Sequence, residues 1–439
     1  MIDGGTLIFK GGTVVTPDGI GTGDVAIAGG RITAIGDLAR LPAAEVIDCR
    51  GLTLLPGVID SHVHFREPGQ TQKEDLESGS RAAVLGGVTA VFDMPNTDPL
   101  TTTAAALADK LARAQRRMHC DFAFYIGATH ENIAVLPALE RRPGCAGIKV
   151  VMGSSFATLL VEDDASVRNI LKVVNRPPSF HCEDEYRLRA RIGERIAGDV
   201  HSHPVWRDAQ CALMCTQRLI ALARETDKRV HVVHVSTAQE MDLLGANKDI
   251  ATVEATPHHL TLAAPDCYDC LGTLAQINPP IRDATHRAGL WRGISDGVID
   301  IVGSDHGPQL LADKTKPYPA SLPGMTGVQT LVPLMLDHVN AGRLSLSRLA
   351  ELTSASPARI FGIAAKGRIA VGYDADLTIV DRKRRETITN NWIASRVGWT
   401  PYDGMRVTGW PVGTFVRGHK VMWDGALVTP AQGEAVRFV

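Results

Sequence analysis

The stretch LLPGVIDSHVHFREPG, residues 54–69, decides the fold of this chain. Its apolar run 54–60 predicts a buried β-strand that leads directly into His62-Val63-His64. Alternate residues of a strand point to the same side, so His62 and His64 can face the same space. Imidazole nitrogens bind zinc and similar divalent ions. A lone pair of this kind is more often two buried, hydrogen-bonded histidines, so the rest of the chain has to decide between the two interpretations.

Seven further apolar runs follow, and most of them lead into a stretch of helical character. They cover residues 88–94, 122–128, 147–151, 179–182, 230–235, 251–255 and 298–304. Continuous apolar strands that alternate with helices indicate a parallel sheet whose outer face is covered. Eight such units predict the α/β fold class and a closed (β/α)8 barrel.

The two ends of the chain have a different sequence pattern. Residues 1–53 contain short β-type segments separated by the turn sequences GG, PDG and GG, and similar segments return after residue 366. The two β-rich ends can pair into one small β-sandwich. We therefore expect a composite domain of residues 1–53 and 366–439, and a barrel domain of residues 54–365.

Polar residues at the other predicted strand ends join the histidine pair. His181 ends strand 5, His234 ends strand 6 and Asp305 follows strand 8. Catalytic groups of such barrels sit at the C-terminal ends of the strands. Four histidines and one aspartate at these ends predict a metal-dependent hydrolase.

Lys149 lies in predicted strand 4 and has its own chemistry. An ammonium group buried near cations has a lowered pKa, and the neutral amine can react with carbon dioxide. The resulting carbamate has two oxygens that can bridge two metal ions. Taken alone, a lysine at this place is more often an ion-pair partner or a phosphate contact.

Composition narrows the function classes. The 439 residues are 44% hydrophobic and 21% charged, which is typical of a soluble enzyme. A formal net charge of −2 argues against nucleic acid or an anionic membrane as a partner. The N-terminus lacks the pattern of a signal peptide, no apolar run could span a bilayer, and the eight cysteines are scattered. These features predict a cytoplasmic protein.

Motifs along the whole chain resemble the dihydroorotase branch of the cyclic amidohydrolases. They are DSHVHFREPG at 60–69, DMPNT at 93–97, GIKVVMGSS at 147–155, HCEDE at 181–185, HVVHVST at 231–237, EATPHHL at 254–260, INPPIR at 277–282 and GSDHGP at 303–308. The resemblance implies two divalent ions, with zinc as the expected metal, and pyrimidine biosynthesis as the setting. In that pattern, carbamylated Lys149 and a hydroxide bridge the ions. One ion is held by His62, His64 and Asp305, and the other by His181 and His234.

The resemblance also assigns roles in the reaction. Asp305 is expected to take the proton of the attacking hydroxide and return it to the leaving nitrogen, as general base and then general acid. Arg66 and Asn96 are expected to hold a substrate carboxylate, and Asn278 to contact the ring. The family motif after strand 8 usually has alanine and histidine where this chain has Gly307 and Gln309. Gln309 can donate a hydrogen bond to the carboxylate but carries no charge, so the identity of the substrate stays open.

Dihydroorotate is therefore the favoured small-molecule substrate, hydrolysed reversibly to N-carbamoyl-aspartate. The alternatives are related cyclic ureides and imides, as in hydantoinases, dihydropyrimidinases and allantoinases. A catalytically silent scaffold is a further hypothesis, which the complete set of expected metal ligands disfavours. A homo-oligomer, dimer or tetramer, is expected.

Three other features have predicted places. His258 and His259 end strand 7 and could approach the site, but they are at least as much expected to be structural or to support the metal ligands. His201 and His203 fall in a polar stretch that opens a helix and are expected to be loop residues. The proline- and glycine-rich segment 314–327 follows strand 8 and is expected to form a partial lid.

Overall fold

The structure, a computed structural model, describes residues 5–154 and 159–439. Ser155, the last residue of the motif GIKVVMGSS, lies outside the described residues. The strands within the described ranges are β1 (Leu7–Thr16), β2 (Gly19–Ala28), β3 (Arg31–Gly36), β4 (Glu45–Asp48), β5 (Thr53–Pro56), β6 (Val58–Val63), β7 (Val88–Asp93), β8 (Asp121–Gly127), β9 (Cys145–Val151), β10 (Ser179–His181), β11 (Val230–Val232), β12 (Ala251–Ala255), β13 (Ile301–Val302), β14 (Leu377–Thr387), β15 (Arg406–Val416), β16 (His419–Trp423) and β17 (Ala426–Leu427).

Helices connect and cover these strands. In the same ranges they are α1 (Leu76–Leu85), α2 (Ala104–Ala114), α3 (Leu136–Leu139), α4 (Asp164–Val173), α5 (Glu185–Ala190), α6 (Ser202–Trp206), α7 (Ala209–Thr226), α8 (Ala238–Gly245), α9 (Pro257–Thr261), α10 (Asp266–Leu271), α11 (Ala284–Ser295), α12 (Leu311–Lys314), α13 (Leu331–Asn340), α14 (Leu346–Ala350) and α15 (Ser356–Phe361). A π-helical turn, Glu351–Ala355, joins the last two. None of these helices is both long and apolar enough to cross a membrane.

Strands β6 to β13 form the barrel. They are parallel and hydrogen-bonded in sequence order, and each stays buried along its length. The last and first strands meet through a bridge between Val63 and His306, where the backbone N–H of His64 donates to the His306 carbonyl at 2.8 Å. This closure brings the C-terminal ends of all eight strands to one face. The predicted (β/α)8 barrel is confirmed.

The first predicted strand differs from the structure in one respect. The apolar run 54–60 is shared by two strands: β5 joins the terminal sheet, and β6 starts the barrel. Gly57 separates them, and a Cβ at this position would overlap with Thr89 and Asp376. Glycine therefore allows the chain to pass between the two sheets where no side chain would fit.

Both ends of the chain contribute to one mixed sheet. Its strands run in the order β17-β16-β15-β14-β5-β1-β2-β3, with β4 paired to β1. Apolar side chains from both ends share one core, in which the rings of Phe9 and Phe415 meet edge to face at 4.8 Å. The predicted sandwich of the two termini is confirmed. Strand β5 crosses the expected domain boundary at residues 53/54, and that boundary stays a prediction.

A buried ionic cluster joins this sheet to the barrel. The Nζ of Lys366 lies 2.6 Å from a carboxylate oxygen of Asp121 and 2.6 Å from one of Asp376, and 3.1 Å from Asp374. Asp121 is the first residue of β8 and also pairs with Arg417 of the terminal sheet. The cluster therefore holds the end of a barrel strand against the segment that leads into β14.

Replacing Lys366 with methionine is expected to lower the free energy of unfolding by about 3–5 kcal/mol, because buried carboxylates lose their shared cation. Chemical denaturation monitored by circular dichroism measures the change. The matched control is Lys383→Met, at an exposed position of β14. Equal stability of the two variants would contradict the role of the cluster.

Candidate metal centre

The barrel mouth brings His62, His64 and Asp305 together. The Nε2 atoms of the two histidines lie 3.3 and 3.1 Å from the same Asp305 carboxylate oxygen. One ligand atom from each of the three residues falls within 4.8 Å of the others. Asp305 follows β13 with a φ of +46°, an uncommon backbone conformation that turns its carboxylate toward the end of β6. Two imidazoles and a carboxylate in this arrangement can hold one divalent ion.

A second group of donors lies beside the first. His181 ends β10, and its Nδ1 lies 2.9 Å from the Nε2 of His234, which follows β11. The rings of His62 and His234 are 5.3 Å apart, so the two groups share one space. Lys149 of β9 lines the same pocket. The structure therefore brings together all six residues that the sequence predicts as metal ligands.

Burial tunes these groups toward metal binding. Loss of water lowers the pKa of His64 to about 4 and lowers the pKa values of His181 and His234 as well, so the imidazoles are neutral at pH 7. Burial also lowers the pKa of Lys149 to about 8. The Lys149 Nζ is buried and has no hydrogen-bond partner within residues 5–154 and 159–439. A buried polar atom without a partner requires an explanation, and a bound group is one.

Two buried glutamates that the sequence analysis did not identify orient the histidines. Glu254 of β12 accepts from His62 Nδ1 at 2.7 Å and from the Ser61 hydroxyl at 3.0 Å. Glu183 lies 3.0 Å from His181 Nε2 and pairs with Arg207 at 2.7 Å. Each carboxylate can fix the ring of a metal ligand. Glu254 could have been noticed as the single acidic residue of an otherwise uncharged strand. Glu183 could have been noticed because it lies two residues after His181.

Glu254 is expected to strengthen metal binding through His62. Burial raises the pKa of Glu254, but His62 and His231 outweigh this effect and keep the pKa well below its usual range. Glu254→Gln removes the charge that aligns and polarises His62, so metal affinity is expected to fall about 10–100-fold. Competition with a fluorescent chelator measures it, with the exposed Glu131→Gln as control. Unchanged affinity in Glu254→Gln would disprove this role.

The pocket beside the donors has an apolar wall and one arginine. Its apolar lining consists of Met94, Pro95, Val151, Leu159, Ile277 and Pro323. Arg66 also lines it, with a φ of +63°, and its Nε donates to the Pro308 carbonyl at 3.3 Å. Burial lowers the pKa of Arg66 to about 10, so the guanidinium stays charged at neutral pH.

The other predicted substrate residues have different surroundings. Asn96 lines the pocket, and its Oδ1 lies 2.6 Å from His64 Nδ1. Asn278 also lines it, and its Oδ1 lies 3.0 Å from His203 Nε2. Gln309 is buried outside the pocket lining, and its amide donates to the Pro323 carbonyl at 3.0 Å. Asn96 and Asn278 are therefore available to a ligand, whereas Gln309 supports the pocket wall.

Two further predicted features lie next to the pocket. His203 is buried in helix α6 and holds Asn278, so its expected place as a loop residue was wrong. The helix is too short to be recognised from periodicity, and the partner lies 75 residues away. The 314–327 segment contributes Pro323 and Gly324 to the pocket lining, and the partial lid stays a prediction.

His258 and His259 belong to helix α9. His259 Nε2 donates to the Pro279 carbonyl at 3.0 Å, and His258 Nδ1 lies 2.8 Å from the Tyr402 hydroxyl. Both rings are buried and hold neighbouring segments of the barrel mouth in place. They have the structural role expected from the sequence.

Comparisons with known proteins agree with this geometry. The profile of the Amidohydrolase family matches residues 53–421. A dihydroorotase of Methanosarcina acetivorans is 36% identical, over 94% of this chain and 91% of its own length. An allantoinase of Solibacter usitatus is also 36% identical, over 98% and 96%. The solved L-hydantoinase (dihydropyrimidinase) of Arthrobacter aurescens superimposes with a TM-score of 0.93 at 31% identity, over 98% and 99%. With its barrel and its histidine and aspartate donors, this chain belongs to the amidohydrolase family, which is metal-dependent.

Proposed function

We propose that this protein hydrolyses the ring amide bond of a cyclic ureide, with dihydroorotate as the favoured substrate and N-carbamoyl-aspartate as the product. One observation carries the proposal: Arg66, a buried cation, lines the same pocket as the histidine and aspartate donors. A substrate that places a carboxylate at Arg66 and a ring carbonyl at the donors fits this arrangement. The dihydroorotase relatives favour the same substrate.

The donor set fits two divalent ions. His62, His64 and Asp305 would hold one, and His181 with His234 the other, with Lys149 shared as a carbamate. Neutral imidazoles and carboxylate oxygens suit zinc. The unpartnered Lys149 Nζ supports a modified lysine, since no described acceptor satisfies it. When bound, such ions lower the pKa of water and polarise the scissile carbonyl.

Asp305 is the group that would move the proton. Burial raises its pKa, but His62 and His64 outweigh burial and hold the pKa well below its usual range, so the group is a carboxylate. Its side chain is 14% exposed, against 1% for His62 and 8% for His64, so it is the most accessible of the three to a substrate. The carboxylate would accept the proton of the attacking water and return it to the leaving ring nitrogen.

The pocket walls would position the substrate. The Arg66 guanidinium would hold the carboxylate together with the Asn96 amide, whose Nδ2 is buried without a partner in the described chain. Asn278 would contact the ring. Gln309 would act through the Pro323 wall, although the family's histidine at this place contacts the carboxylate. Neutral cyclic ureides are the second candidate class, because allantoinase and hydantoinase relatives are equally extensive matches and Gln309 supplies no charge.

Turnover of dihydroorotate and of unsubstituted hydantoin by wild type and Arg66→Ala tests the proposal. Loss of a charge-assisted contact is expected to lower kcat/KM for dihydroorotate about 10–100-fold. The value for uncharged hydantoin is expected to change less than about threefold. The exposed Arg292→Ala serves as control. Equal small losses on both substrates would contradict the carboxylate-binding role, and turnover of hydantoin alone would favour the second class.

We also propose that the protein is a cytoplasmic homo-oligomer, a dimer or a tetramer, and that it has no nucleic-acid partner. Its two domains would be residues 1–53 together with 366–439, and residues 54–365. Four large apolar side chains near one another in sequence support association, because they are about half exposed: Tyr186 (51%), Ile192 (50%), Ile196 (59%) and Val205 (48%). Light scattering coupled to gel filtration tests the oligomer.

A further inference from the structure

Gly307 and Gly324 form the pocket wall beside Arg66. Both line the pocket, and the Gly307 N–H donates to the Met325 carbonyl at 2.7 Å, which joins the two segments. Gly324 has a φ of +130°, and a Cβ there would overlap with the Gly307 carbonyl oxygen. The backbone therefore requires glycine at position 324.

Position 307 has no such requirement. Its φ lies outside the left-handed region. A Cβ at Gly307 would lie 3.5 Å from the Gly324 Cα, 3.6 Å from the Asp305 carbonyl oxygen and 3.7 Å from Arg66 Nη2, which are ordinary van der Waals distances. An alanine therefore fits the fold, and the missing methyl group leaves space next to the guanidinium of Arg66.

Gln309 supports the same wall of the pocket from behind. Gln309 is bonded to Pro323 and lies outside the pocket lining. At the end of the pocket that faces Arg66, the wall at position 307 therefore leaves the space of about one methyl group that an alanine would fill.

We propose that Gly307 determines substrate size at Arg66 and admits cyclic ureides whose carboxylate stands one methylene further from the ring. The inference rests on the proposed function. Its probe is hydantoin-5-acetate, a five-membered ring with a carboxymethyl group and an isomer of dihydroorotate. Water adds across one ring C–N bond of either isomer, with its oxygen on the carbonyl carbon and a proton on the nitrogen. Both reactions give N-carbamoyl-aspartate, so one product assay serves both substrates.

The test compares kcat/KM on the two isomers for metal-loaded wild type, Gly307→Ala and a control. In Gly307→Ala, a methyl group would fill the space that the extra methylene occupies. The kcat/KM for hydantoin-5-acetate, divided by that for dihydroorotate, is therefore expected to fall at least tenfold. The control is Gly193→Ala, at an exposed position where a Cβ meets nothing within 4 Å. Thermal melting checks that both variants fold.

The outcomes separate the two proposals. A folded Gly307→Ala protein whose ratio falls tenfold or more supports the role of Gly307. A ratio that falls less than tenfold overturns it and leaves the proposed function standing, and so does a wild type that hydrolyses dihydroorotate but not hydantoin-5-acetate. Hydrolysis of neither isomer by metal-loaded wild type overturns both. If the Gly307→Ala protein does not fold, Gly307→Ser repeats the comparison, and failure of both variants to fold overturns the conclusion that this glycine serves the substrate.

Discussion

Asp305→Asn is expected to lower kcat/KM for ring opening by about 10³-fold or more. Asparagine keeps the shape of the side chain but cannot accept a proton from water or return one to the leaving nitrogen. Asp305 also lies against His62 and His64, so weaker metal binding would add to the loss. Steady-state kinetics and metal analysis of the same preparation separate the two effects.

The control for Asp305→Asn is Asp296→Asn, at the exposed C-terminal cap of α11. It makes the same chemical change away from the barrel mouth and is expected to keep wild-type kinetics. A fully metal-loaded Asp305→Asn enzyme with activity within tenfold of wild type would contradict the proton-transfer role.

The Lys149→Ala variant is expected to hold less than about one metal ion per chain. Its kcat/KM is expected to be about 10³-fold below that of wild type. The reason is that a carbamate on this lysine would supply ligand oxygens to both ions. The lowered pKa of Lys149, about 8, increases the share of neutral amine that can react with carbon dioxide near neutral pH. Added propionate is expected to restore part of the activity, since its carboxylate can occupy the vacated space.

Two comparisons make this prediction specific. Lys149→Arg keeps a positive charge but forms no stable carbamate, so it is expected to behave like Lys149→Ala. Lys172→Ala, at an exposed position of α4, is the control. Full metal content and activity in Lys149→Arg would rule out the carbamate, and mass spectrometry of the native wild type checks directly for one added carbon dioxide.

The barrel could be predicted because its strands are local in sequence. Each of the eight apolar runs contains residues of a barrel strand, and the stretches that form helices α1 and α7 have helical spacing of their apolar residues. One run, 54–60, is not a single strand, because the structure divides it at Gly57 between two sheets. That division depends on the close approach of Thr89 and Asp376, residues distant in sequence, so periodicity could not reveal it.

The metal donors were predictable for a related reason. Closing a parallel barrel brings all its C-terminal strand ends to one face, so His62, His64, His181, His234 and Asp305 had to converge once the strand ends were identified. The place of Lys149 in predicted strand 4 and the chemistry of a buried amine indicated that residue, and the resemblance to a known family added the substrate residues. Their roles are tested by the variants above.

The sequence by itself thus determined the fold class and the set of donors, because both follow from where strands end. Only the tertiary structure decided how those donors are held. Glu254 reaches His62 across 192 residues, and Arg207 reaches Glu183 across 24. It also decided that Gln309 is bonded to Pro323 outside the pocket lining, while Gly307 leaves space beside Arg66. Such contacts depend on packing between distant segments, and packing is not encoded in local periodicity.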